Sequence, residues 1–250
     1  MKHTISGLLI SLALSSALAA TAQAKSFSSD IRATDTVELY TSEGCSSCPP
    51  ADRWFSTLKD DPGLFKDFIP LAFHVDYWNS LGWTDRFSSP AYTTRQHRHV
   101  NAGNTRQSYT PQVVLNNQEW RGHLRGISSW DAGDRKTGVL KAELDDANQL
   151  KVNFSPASPE YFEQKQWQLN VAYLGMGLTT SVQRGENSGR ELKHDFVVLE
   201  HRRQAVDAEA QQWQLDMSAA PDAGQQQTAL VVWLSDPVTQ HTLQAAGGYL

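Results

Sequence analysis

Cys45 and Cys48 are the only cysteines in a chain of 250 residues, and they lie three apart in the stretch TSEGCSSCPP from Thr41 to Pro50. Two thiols at that spacing suit three chemistries. A disulfide across them closes so short a loop that the chain-entropy model gives it roughly 2 kcal/mol, so a purely structural bond would do more by joining distant segments. A C-x-x-C pair between a strand and a helix is a redox centre, with Cys45 as the exposed attacking thiol and Cys48, one turn further in, as the resolving thiol. The helix N-terminus would favour the Cys45 thiolate. Pro49 and Pro50 weaken that effect, because a helix that starts at either proline leaves the cysteines in the loop before it. The third chemistry is a soft-metal site for copper(I) or zinc, made of both thiols and His74. A four-cysteine zinc site within one chain is excluded.

Other residues could serve the pair. His74 and Asp76, two apart in AFHVDYW, would point the same way and could take or relay a thiol proton. The alternatives are an interior, hydrogen-bonded His74 and an Asp76 that caps a turn. Glu43 could act on a thiol, although a solvated loop acid is the simpler role. Trp78 and Trp83 flank a glycine-containing turn and form either a peptide-contacting wall over the cysteines or the core of an insert. RQHRH, residues 95–99, suggests a solvated helix face or a positive patch beside the thiols. RGENSGR is a glycine-rich polar connection between strands whose Arg184, Glu186, Asn187 and Arg190 could form an interdomain ion network, although the sequence supports only a turn.

The elements that must position these groups follow from periodicity. A short apolar run at Val37–Tyr40, the cysteine loop, a helical stripe of Trp54, Phe55 and Leu58, and the run FIPLAFHVDYW make a strand–helix–strand unit with parallel strands and a right-handed crossover. Ser89-Pro90 is an N-cap followed by the first position of a three-turn helix, with Tyr92, Gln96, His99 and Val100 on one face and Gly103 as the stop. YTPQVVLNN and EWRGHL give two strands about an Asn-rich turn. From Gly138 onward, about eight short alternating strands and no helix indicate a sandwich-like β domain.

At the N-terminus, Lys2 and His3 precede an apolar run from Ile5 to Leu18 and then Ala22-Gln23-Ala24. This pattern predicts a signal peptide cleaved after Ala24, and hence a periplasmic or secreted protein with no membrane span. No cysteine at the cleavage point can carry a lipid. Removing the leader changes the formal charge from −5 to −6, which gives no electrostatic case for nucleic acid. The expected organisation is an N-terminal arm at 25–35, an α/β domain at 36–130 and a β domain at 138–250.

Five stretches carry a resemblance: Leu39–Asp52, which begins LYTSEGC, then LAFHVDYWNSLGW, SSPAYTTRQ, YTPQVV and RGENSGRELKH. Together they resemble the secreted bacterial family termed domain of unknown function 1223. The resemblance implies a thioredoxin-like N-terminal α/β domain, followed here by an all-β sandwich-like domain. It also implies a cis-proline opening the strand that faces the cysteines, matched by Pro111, with Thr110 as the residue whose backbone meets a substrate chain. The Ser46-Ser47 dipeptide differs from the Gly-Pro of thioredoxin, and about sixty residues rich in Trp, Tyr, Arg and His separate Cys48 from Pro111. The expected function is thiol–disulfide oxidoreduction on a protein or small-molecule thiol or disulfide, with no cofactor. The rivals are a binding or assembly protein with an inert disulfide and a copper chaperone. Substrate, redox direction and oligomeric state stay open.

Overall fold

The computed structural model describes residues 24–125, 130–162 and 165–250. The expected signal peptide lies outside the described residues except for Ala24, as do residues 126–129 near the end of the expected α/β domain. Strand β1 is Lys25–Ser28, within the stretch expected as a loose arm, and β2 is Asp35–Thr41. Helix α1, Pro49–Thr57, starts at the first of the two prolines with Cys48 as its N-cap. Strand β3 is Phe68–His74 and helix α2 is Pro90–Asn101, where Ser89 accepts the Ala91 N–H at 3.2 Å. Strands β4, Gln112–Leu115, and β5, Gln118–Trp120, close the first half. Asn116 and Asn117 between them both have positive φ, 47° and 66°, which asparagine tolerates in a tight hairpin turn.

The second half is built of β6 (Gly138–Leu144), β7 (Gln149–Pro156), β8 (Gln166–Met176), β9 (Leu178–Ser181), β10 (Glu191–His194), β11 (Val197–Asp207), β12 (Gln212–Asp216), β13 (Gln227–Ser235) and β14 (Thr242–Tyr249). ELKHDFVVLEH, expected as one strand, divides into β10 and β11 about Phe196, whose φ is +58°. Strand β14 is rich in small residues and was not legible. A Cβ on Gly247 would come within 2.6 Å of the Val231 side chain, so the closeness of β13 leaves no room for a side chain there.

Strands β2 and β3 run parallel in the register Asp35↔Phe68 through Thr41↔His74, joined through α1 as the periodicity predicts. The expected fold class does not hold. Fourteen strands and two α-helices occur among the described residues, and a single eight-stranded sheet, β14-β13-β8-β11-β3-β2-β4-β5, runs through both halves of the chain. The chain is therefore not a thioredoxin-like α/β domain followed by a separate β-sandwich. The joint is β11, which meets β3 in parallel at Val197↔Ala72 and continues antiparallel into β8. Every residue of β3 is buried. A strand so apolar on both faces needs a neighbour on each edge, and β11 supplies the second one.

Side-chain alternation sets what the faces of β2 and β3 carry. Tyr40 stacks on Phe73 at 5.7 Å, and Phe73 meets Tyr92 of α2 at 5.3 Å. Thr41 and His74, next in each strand, therefore point to the opposite face, on the side of α1. The second sheet, β1-β6-β7-β12, covers the far end of the large sheet around Leu140, Leu150, Phe154, Leu169 and Val232.

Candidate functional site

Cys45 and Cys48 are joined in a disulfide at the mouth of the β2–α1 connection. Neither cysteine has solvent exposure, whereas Ser46 and Ser47 between them are exposed. Cys45 was expected to be the accessible thiol, so its burial is a correction. The cause lies in segments distant in sequence. Trp78 packs so close that a Cβ on Gly44 would lie 3.0 Å from its own Cβ, and its indole N–H donates to Thr110 Oγ1 at 2.8 Å. Trp78 thereby ties the cysteine loop to the Thr110–Pro111 segment, whose peptide bond is cis.

The RGENSGR turn clamps the loop from the other side. Asn187 is fully buried and donates from Nδ2 to the carbonyls of Glu43 and Cys45, both at 2.9 Å, while Arg190 holds the Asn187 Oδ1 at 2.9 Å. Glu186 accepts the Ser46 N–H at 3.2 Å. These side chains act directly on the loop, a role beyond that of a turn.

Beneath the loop, on the α1 face, five titratable side chains converge: Glu43, Asp52, His74, Asp85 and His194, all buried. Asp85 Oδ2 lies 2.6 Å from His74 Nδ1 and accepts the Glu43 backbone N–H at 2.9 Å. Burial opposes the charged imidazole of His74, but Asp85, with help from Asp52 and Glu43, outweighs it and raises its pKa. Burial likewise opposes the Asp85 carboxylate, yet His74 and the backbone N–H groups hold its pKa below the usual range. Asp52 is raised by burial, which His194 and His74 offset only in part. Glu43 is fully buried, so it is not a solvated loop acid. Trp83 Nε1 donates to its Oε2 at 2.8 Å, while Oε1 has no hydrogen-bond partner and lies 3.6 Å from His194 Nε2.

Of the two residues expected to act together, His74 joins this cluster and Asp76 does not. Asp76 accepts from Thr93 Oγ1 of α2 at 2.5 Å and donates its backbone N–H to the same oxygen at 3.2 Å. Trp78 and Trp83 both border the loop, one through Gly44 and the other through Glu43. Asn187 is read from the sequence only as part of a turn, and Asp52, Asp85 and His194 are not singled out there, although Asp52 and His194 left a signal. His194 has the inward parity of Leu192 in β10, and Asp52 lies three residues before Phe55 on the buried stripe of α1. Of the RQHRH segment, Arg95, Gln96 and His99 are buried, so it is not a solvated face. As for the copper alternative, the sulfurs are bonded to each other and His74 Nδ1 is held by Asp85. Among the described residues no group of three or more His, Cys, Asp or Glu is arranged to hold a metal ion.

Among solved structures, protein AGR_C_4864 from Agrobacterium tumefaciens is similar at 23% identity over 87% of this chain and 94% of its own, with a TM-score of 0.59. HBP35 of Porphyromonas gingivalis is similar at 13% identity over 89% of this chain and 76% of its own, with a TM-score of 0.57. At these identities the likeness extends to the fold alone. No curated protein matches the chain. The family model described as protein of unknown function (DUF1223) matches residues 36–235, most of the chain, and the chain belongs to that family.

Proposed function

We propose that the protein is an extracytoplasmic thiol–disulfide oxidoreductase whose C-x-x-C pair is closed over in the oxidised state. The observation that carries this reading is that the segments bearing the pair, through Glu43 of the loop and Asp52 of the first turn of α1, share a cluster of five buried titratable groups, several with atoms that lack hydrogen-bond partners. Buried polar groups left incomplete cost stability, about 1–3 kcal/mol for each unsatisfied atom. A three-residue disulfide loop returns only roughly 2 kcal/mol, so stability does not account for the arrangement. Within the cluster the pKa values of His74 and Asp52 are raised and that of Asp85 is lowered, and shifted groups gathered in one place fit chemistry; the pair supplies the one nucleophile–leaving-group couple beside them.

In this reading an incoming thiolate attacks Cys45 Sγ and Cys48 Sγ leaves with the bonding electrons. A second thiolate then attacks the outer sulfur and releases Cys45. Access requires the Trp78 and Asn187 contacts to open. The full burial of both sulfurs favours a second reading, an inert disulfide in a binding or assembly protein. Cys48→Ser protein separates the two. The first reading expects the Cys45 thiolate to attack a small disulfide such as oxidised glutathione under native conditions, forming a mixed disulfide and releasing one thiolate, with no such product in Cys45→Ser. Trapping that appears only in denaturant would establish the second.

A further inference from the structure

A cavity of about 150 Å3 opens between the first turn of α1 and strand β10, lined by Pro49, Asp52, Arg53, Leu192, Lys193 and His194 among others. Its wall includes two members of the buried cluster, Asp52 and His194. His194 is 3% exposed, and neither of its ring nitrogens has a hydrogen-bond partner. Its ring lies 5.0 Å from that of His74, centroid to centroid.

Reduction of the pair needs two protons at sulfurs without solvent exposure, where, among the described residues, the one polar side chain in hydrogen-bond contact is Ser47, its Oγ 3.4 Å from Cys45 Sγ. Each sulfur that leaves does so with an electron pair, first Cys48 and then Cys45, and a thiolate held away from water is costly unless it is protonated or paired. The helix offers little pairing. Pro49 and Pro50 have no N–H, and the Ala51 and Asp52 N–H groups already donate to the Cys48 carbonyl at 2.9 and 3.1 Å. We infer that His194 is the proton relay of the pair, carrying protons from water in the α1–β10 cavity to the buried cluster. The route is separate from the Trp78 and Asn187 side, where a substrate thiol would approach. The inference rests on the oxidoreductase reading.

The charged and titratable groups that face His194 are Glu43 of the cysteine loop, Asp52 and Arg53 of α1, His74 of β3 and Asp85. Glu191 and Lys193 flank it on its own strand, and Asp195, which follows, is engaged by Lys59 at 2.9 Å.

The test follows the rate of disulfide reduction by dithiothreitol from pH 6 to 9, with folding checked by circular dichroism. His194→Phe should slow reduction about 100-fold, within the range general acid–base groups contribute. His194→Ala should regain at least 10-fold with added imidazole, in proportion to the imidazolium fraction. Wild-type protein, which needs no substitution, should show a solvent deuterium isotope effect that His194→Phe changes. Equal rates and isotope effects in wild type and His194→Phe would overturn the relay and leave the oxidoreductase reading standing. Wild-type protein that dithiothreitol reduces only after unfolding would overturn both.

Discussion

Strands β2 and β3 carry a buried polar cluster on each face, and the two are finished differently. On the α2 face, Glu38 receives Arg95 through both carboxylate oxygens, at 2.6 and 2.9 Å, together with the Tyr40 hydroxyl at 2.6 Å and His99 Nε2 at 3.2 Å. Asn104 Nδ2 meets the other nitrogen of His99 at 3.0 Å, and Arg95 is positioned over the Phe73 and Trp233 rings. Burial opposes the Glu38 charge, but Arg95 and His99 hold its pKa well below the carboxylate range. On the α1 face, His74 Nε2, Glu43 Oε1 and both nitrogens of His194 lack hydrogen-bond partners. A completed network holds helix and sheet together; an incomplete one of similar burial leaves groups free to exchange protons. The unfinished face is the one beneath the disulfide.

The largest expected effect tests the completed side. Arg95→Met leaves Glu38 charged and buried without its main partner, and should lower the unfolding free energy by about 3–5 kcal/mol in urea titration. Adding Glu38→Gln should recover most of that. His194→Gln, on the unfinished side, should cost less than about 1 kcal/mol, since it removes no hydrogen bond. Comparable losses from both would erase the distinction.

A pH titration sharpens the contrast through opposite signs. His201 lies beside the completed network, 5.0 Å from Trp233, with Nε2 and Asn170 Oδ1 3.1 Å apart, and burial followed by the charge of Arg95 pushes its pKa down to about 3. The unfolded chain therefore binds a proton more readily than the folded one below the ordinary value of 6.5. This group's contribution is complete above pH 6.5 and falls by about 2 kcal/mol by pH 5. In His201→Gln protein that slope should vanish from unfolding curves taken between pH 7 and 5. His74 works in the other direction. Its raised pKa gives a contribution complete below pH 6.5 that fades as pH climbs through the folded value, and His74→Gln should flatten the alkaline side.

Smaller effects are expected at the clamp. Asn187→Ala strands two buried carbonyls and should cost about 1–3 kcal/mol, while speeding disulfide reduction by dithiothreitol at least 10-fold. Slower reduction would mean that Asn187 does not hold the pair closed. Trp78→Phe removes one hydrogen bond to Thr110 and should cost about 1 kcal/mol in the same urea titration.

The sequence made local features legible and left distant pairings out. The C-x-x-C loop, the Pro49 helix start, the Ser89 cap and the Asn116-Asn117 turn are written in adjacent residues. The continuous sheet depends on β11 finding the edge of β3 more than a hundred positions away. Nothing local to VVLEHRR says which strand it meets. The site divides in the same way. His74 stood out beside the strand end, whereas Asp85, His194 and Asn187 reach Glu43 and Cys45 from loops and strands far along the chain. RQHRH misled because charge alone suggested solvent, while Glu38 waited on the adjoining strand to receive it.

Whether the closed pair works as a redox couple is tested most directly by its equilibrium reduction potential. Folded wild-type protein equilibrated in glutathione or dithiothreitol buffers should give a value roughly between −120 and −270 mV, in the range of working oxidoreductases. A value below about −300 mV, or reduction seen only together with loss of the fold, would contradict it and identify Cys45–Cys48 as a structural bond.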